Sequence, residues 1–241
     1  MVWGRMVALA GMLCAGAGLA VPALADTLVV RASGPSAKSY QPGSKLADGG
    51  ALVLKAGDVL TLLDARGTRT LRGPGRFSVT AAATTAPASG VALSAVLDTK
   101  RVRRVRTGAV RGNASAALPP RRPNLWLVDV AQPGLVCVAD PASVRLWRAD
   151  AGRPVSVRIA GEGTSATAAF PAGEAMALWP AALPLREGAA YRLSEGAHST
   201  DIRFAMLDKS ASGLDGMAAG LLAHKCTAQL DLLVDTAGAQ N

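Results

Sequence analysis

Short apolar runs broken by turn residues dominate this chain, and the clearest series runs from Ala51 to Phe77. Runs rich in β-formers are separated at Gly57-Asp58, at Asp64 to Gly67 and at Gly73-Pro74-Gly75. The pattern predicts a strand–turn–strand–turn–strand meander. In its middle run Val59, Thr61 and Leu63 point one way and Leu60 and Leu62 the other, so this strand is expected to be covered on both faces. A first strand is predicted at Thr27–Arg31, followed by a Gly/Pro/Ser-rich loop at 33–43 and a return to the sheet between Leu46 and Leu54. Phe77 to Val79 closes a small barrel or two-layer meander.

Beyond an Ala/Thr-rich link at 81–89, Leu93, Val96 and Leu97 stand at helical spacing and predict a short helix over 91–97. Leu118-Pro-Pro-Arg-Arg-Pro123 reads as a semi-rigid connector and marks a boundary. From Leu125 to Leu207 the pattern is β throughout, with turn signals at intervals of roughly eight to twelve residues, which predicts a sandwich of about seven strands. Arg145, Arg148, Arg158, Arg192 and Arg203 fall on or beside these strands and are expected on outer faces. Trp179-Pro180 to Leu183-Pro184 predicts a rigid crossing at a sheet edge. Last, Ser212 to Asp215 resembles a capping box, and Leu214, Met217, Leu221, Cys226, Leu230 and Leu233 recur at three-to-four spacing. They predict one amphipathic helix over 209–235 lying on the sandwich.

Composition adds a compartment. Residues 1–25 carry one cation, Arg5, then an apolar core and a small-x-small end at Ala23-Leu24-Ala25, the pattern of a cleaved export signal. An uncleaved membrane anchor is the alternative, but the apolar stretch is short for a span. The expected location is the periplasm. Of the formal net charge of +9, Arg5 accounts for one unit. The stretch 99–123 holds eight cations and no acid, so the basic character is local. Within it Lys100, Arg101, Arg103, Arg104, Arg106 and Arg111 are the candidates for contact with an anionic membrane surface or an acidic partner, against the plainer reading of a solvated linker. A nucleic-acid role does not fit an exported chain whose basic stretch lacks interleaved aromatics.

Candidate chemistry is sparse. The chain has no phosphate-binding loop, no Gly-x-Ser-x-Gly turn and no His-Glu-x-x-His motif. His198 falls in a polar turn and His224 on the last helix, and both are read as surface residues rather than metal ligands. Asp58, Asp64, Asp129, Asp140 and Asp201 fall in turns or at strand ends, where Asp binds backbone donors. No cofactor is expected. Cys137 and Cys226 are the two cysteines beyond the leader, and in an oxidising compartment they are expected to bridge, two buried thiols being the alternative.

The Gly57-Asp58, Asp64-x-x-Gly67 and Gly73-Pro-Gly75 series resembles the periplasmic FecR-type domain. More closely, the chain is similar to a group of exported FecR-domain-like bacterial proteins of unknown function. Those proteins also carry segments like Thr107-Gly-Ala-Val-Arg-Gly112 and Leu178-Trp-Pro180 with Leu183-Pro184. The expected fold is mainly β. A FecR-like β-domain spans 26–98 and ends in the short helix. A basic linker follows at 99–123, then an Ig-like sandwich at 124–208 and a helix at 209–235. The expected function is a non-enzymatic periplasmic interaction or scaffold module in an envelope sensing system, with an envelope or membrane receptor protein as partner. A cell-envelope polymer-binding or polymer-modifying enzyme is the alternative.

Overall fold

A computed structural model describes residues 27–79, 90–98, 122–208 and 213–238. The expected leader, the link at 81–89 and the basic residues Lys100, Arg101, Arg103, Arg104, Arg106 and Arg111 lie outside the described residues. The described chain is mainly β, with three α-helices and a short 3-10 turn at Pro141–Ser143.

The first lobe contains β1 (Thr27–Ser33), β2 (Lys45–Leu46), β3 (Ala51–Leu54), β4 (Val59–Asp64), β5 (Gly67–Arg72) and β6 (Gly75–Ser78). One sheet has the order β2-β1-β4-β5, and β3 and β6 form a separate pair. The expected meander is thereby corrected: β4 and β5 make a hairpin, but β3 pairs with β6, with Leu52 opposite Phe77. The cause lies in two turns that meet. Asp58 accepts from the Ser36 N–H at 2.8 Å and the Lys55 N–H at 2.5 Å. Its own carbonyl accepts from the Gly73 N–H at 2.9 Å. A Cβ on Gly73 would stand 2.0 Å from the Lys55 carbonyl oxygen, so glycine permits this approach. The contact folds β3 and β6 over the main sheet as a second layer.

β4 is covered on both faces, as its pattern requires. Leu60 and Leu62 pack with Val29, Leu52, Leu54 and Leu71 in a small core between the layers. Leu63 faces the other way and joins Leu28 and Val30 of β1 in a larger cluster.

That larger cluster belongs to the helices. α1 (Gly90–Leu97) forms where expected. The single C-terminal helix does not: α2 (Gly213–Ala223) and α3 (Thr227–Gly238) replace it. Lys225 adopts φ 59, the Lys225 N–H binds the Leu222 carbonyl, and the Cys226 N–H binds that of Leu221. These two bonds end α2 in the reversal usually built on glycine, here with lysine in the left-handed position. Nor do the helices lie on the sandwich alone. Ala218, Leu221, Leu230, Leu233 and Val234 share one core with Leu28, Val30 and Leu63 of the first lobe and with Leu125, Trp126 and Ala205 of the second. Arg31 on β1 pairs with Asp231 and Asp235 on α3, and the Thr68 hydroxyl donates to the Val234 carbonyl at 3.0 Å.

The second lobe holds β7 (Leu127–Asp129), β8 (Gly134–Val138), β9 (Arg145–Trp147), β10 (Val155–Gly161), β11 (Thr164–Phe170), β12 (Met176–Leu178), β13 (Ala190–Glu195) and β14 (His198–Met206). The sheet orders are β11-β10-β13-β14-β8 and β12-β9-β7. Val128 and Leu146 from the smaller sheet meet Ile159, Leu193 and Phe204 from the larger in a single core. Trp179 packs edge-on against Tyr191 and Phe204, with ring centroids 5.1 Å away in each case. Arg148 corrects the expectation of an outer-face arginine. It is 4% exposed, lies over the Phe170 ring, and donates to the carbonyls of Arg153, Pro171 and Glu174. Burial is tolerated because the fork of donors finds three carbonyl acceptors, one at Arg153 and two in the turn from Pro171 to Glu174.

Candidate functional site

Cys137 of β8 and Cys226, at the start of α3, form a disulfide with an S–S distance of 2.05 Å, and both residues are buried. One helical turn on, the Gln229 side chain reaches the same place. Its Oε1 accepts from the Cys137 N–H at 2.7 Å, and its Nε2 donates to the carbonyls of Cys137 at 2.8 Å and Leu125 at 3.0 Å. Around the corner the Asn124 amide donates to Asp98 and accepts from the Trp126 N–H, and the Trp126 ring N–H donates to Leu97. Helix α1, the entry to β7 and α3 are thus tied at one polar seam.

The seam also closes a sheet edge. β8 is an outermost strand, and the Gln229 amide takes the position a neighbouring peptide group would occupy. A similar device serves β3. The Tyr40 hydroxyl accepts from the Val53 N–H at 3.0 Å and donates to the Val53 carbonyl at 3.3 Å. The edge of β5 is covered by α3 through Thr68. β11 is treated differently. It is the other outermost strand of the larger sheet, its seven residues are uncharged, and its register with β10 runs unbroken from Thr164 to Phe170. Among the described residues, no strand, helix or side chain is hydrogen-bonded to its outer edge. Natural edges of this length are usually blunted by a charge, a proline or a bulge.

At one end of the sandwich the two sheets leave a cleft of about 360 Å3. Its base is made by Val130, Val157 and Leu193, and Glu195, His198 and Thr200 stand at its rim. The last three lie on the inner side of the β13–β14 hairpin, because Glu195 pairs with His198 and buried Leu193 with Thr200. Glu195 accepts from Arg153 at 2.6 Å. Arg153 sits on the loop whose carbonyl Arg148 holds at 2.6 Å, so a buried arginine positions an exposed one.

Asp58, Arg122, Asp129 and Asp201 are engaged in local structure. Burial works against the charge of Asp58, but the bonds from Ser36 and Lys55 together outweigh it and hold the carboxyl below its ordinary range. Burial pushes the Asp129 carboxyl up, while the Ala131 N–H and the nearby Arg122 guanidinium pull it down. Burial likewise lowers Arg122, against the attraction of Asp129. Arg122 therefore packs at the foot of β7, with its guanidinium donating to the Leu127 carbonyl. Two bonds from Arg192 hold Asp201 below the carboxylate range. His198 is exposed in its hairpin and His224 is half-buried at the end of α2, on separate elements. Among the described residues no three His, Cys, Asp or Glu side chains converge as a metal set.

Gln229 was not singled out by sequence, although it carried a signal: a polar residue at three-residue spacing from Cys226, inside an otherwise apolar series. Tyr40 gave none, because a loop tyrosine does not reveal which backbone it will meet. His198 falls in a polar turn by sequence, and only the meeting of Val130, just after β7, with Leu193 of β13 makes that turn the rim of a cleft. Among the described residues no helix is long and apolar enough to cross a membrane. Compared with protein-family models, curated proteins and solved structures, the chain matches none.

Proposed function

We propose that this chain is an exported, periplasmic interaction or scaffold module that works by contact rather than by catalysis. In this reading the first lobe is FecR-like, the second is Ig-like, and the sandwich receives an extended segment of an envelope protein as an added strand on β11. One observation carries the reading. The edges of β3, β5 and β8 are each closed by a dedicated side chain or helix, whereas the longest uncharged edge is left open. Strand addition takes its affinity from main-chain hydrogen bonds and its selectivity from alternate side chains. On β11 those are the exposed Ser165, Thr167 and Ala169, small enough to admit a neighbour. Lys100, Arg101, Arg103, Arg104, Arg106 and Arg111 supply a second, electrostatic contact to an anionic surface or acidic receptor.

The test is a photo-crosslinking amino acid placed at Ser165 or Thr167 in intact cells, with Lys38 in the first lobe as the control position. A discrete adduct from the two β11 positions that Lys38 does not give is the expected result. Adducts of equal yield at all three positions, or none at β11, would overturn strand addition.

A further inference from the structure

We infer that the end cleft of the sandwich is a binding site for a small zwitterion with an aliphatic body, of the size of an amino acid or dipeptide. The inference does not rest on strand addition, which uses the outer edge of β11 and none of the cleft's lining residues. At about 360 Å3 the cleft lies at the low end of the range for small-molecule sites, roughly 300–1,000 Å3. Val130, Val157 and Leu193 offer it aliphatic surface, and Ser194 and Ser199 stand among the lining as well. Its rim offers one anion, Glu195, whose ion-pair partner Arg153 stands beside the cleft, outside its lining. A ligand bearing a single charge meets its partner at this rim together with a charge of its own sign. A zwitterion meets both of its complements.

The pair is also easy to open. The Arg153 and Glu195 side chains are 67% and 31% exposed, and ion pairs so exposed contribute little to stability. A ligand ammonium at Glu195 and a ligand carboxylate at Arg153 would replace one exposed pair by two. Arg148 limits the entropy lost in the exchange, because it already anchors the Arg153 backbone. The Thr200 hydroxyl and the His198 imidazole add hydrogen-bonding partners at the mouth.

The test is an amide-shift titration of the isotopically labelled full chain with L-leucine, using isoamylamine and isovalerate as single-charge probes. Leucine is expected to give saturable shifts at Val130, Leu193, Glu195, His198 and Thr200, and each single-charge probe to bind about two- to fivefold more weakly. Glu195→Gln should erase the preference for leucine over isovalerate, and Arg153→Gln the preference over isoamylamine. Both positions are at the surface, so retained peak dispersion will confirm that the variants fold. Absence of saturable shifts at tens of millimolar leucine, equal binding of all three probes, or preferences unchanged in both variants would each overturn the assignment.

Discussion

Cys137 is held twice by the same helix, covalently by Cys226 and through its backbone N–H and carbonyl by the amide of Gln229. Three hydrogen bonds from one buried side chain leave three backbone groups unpaired when it is removed. Gln229→Leu keeps the volume but removes the bonds, and should destabilise the chain by about 2–4 kcal/mol. Urea denaturation of the oxidised protein measures it. Gln229→Glu should be worse than leucine at neutral pH, because a carboxylate cannot donate to the Leu125 and Cys137 carbonyls.

The disulfide should contribute up to ~4–5 kcal/mol by restricting the unfolded chain, since its two cysteines are 89 residues apart. Replacing both by serine should lower the urea midpoint. Because both cysteines are at most 1% exposed, the bond in the native protein should react with dithiothreitol only through unfolding. The reduction rate should therefore rise steeply with urea, as followed by alkylation and mass spectrometry.

Arg148→Lys should destabilise by about 1–3 kcal/mol despite keeping the charge. A single ammonium cannot serve three carbonyls in the geometry of the guanidinium fork or stack as the guanidinium does on Phe170. Thermal unfolding with circular dichroism reads the loss.

Asp58 gives a pH signature of known sign. Its folded carboxyl titrates below the ordinary value. Its contribution to stability is thus present above about pH 4 and is lost as the pH falls through the lower folded value. Asp58→Asn should be less stable than the parent at pH 7, with the gap closing below pH 4. Urea midpoints across pH 2–7 will show this, and a gap that widens in acid would contradict it.

Local features were legible and long-range choices were not. The alternation in β4 announced two covered faces, because Leu60 and Leu62 on one side and Leu63 on the other leave no polar face. α1 was readable from Leu93, Val96 and Leu97. The partner of β3 was not, since its run fits β4 or β6 equally and the choice rests on the meeting of Lys55 with Gly73. The break between α2 and α3 was hidden because Lys225, not glycine, takes the reversed position. Arg148 looked like a solvent-facing end of a strand, and its three acceptors come from residues 5 to 26 positions away. The end cleft depends on two loops brought together from opposite ends of the sandwich sequence, which no local pattern encodes.

The shared helical core sets an order of events during synthesis. Leu28, Val30 and Leu63 are made early, yet surfaces that bury them belong to residues 213–238, made after both lobes. Burying them joins residues far apart in the chain, and non-local closure of this kind is slow. Neither lobe is therefore an independent unit: loosening α2 or α3 would uncover apolar surface on both at once.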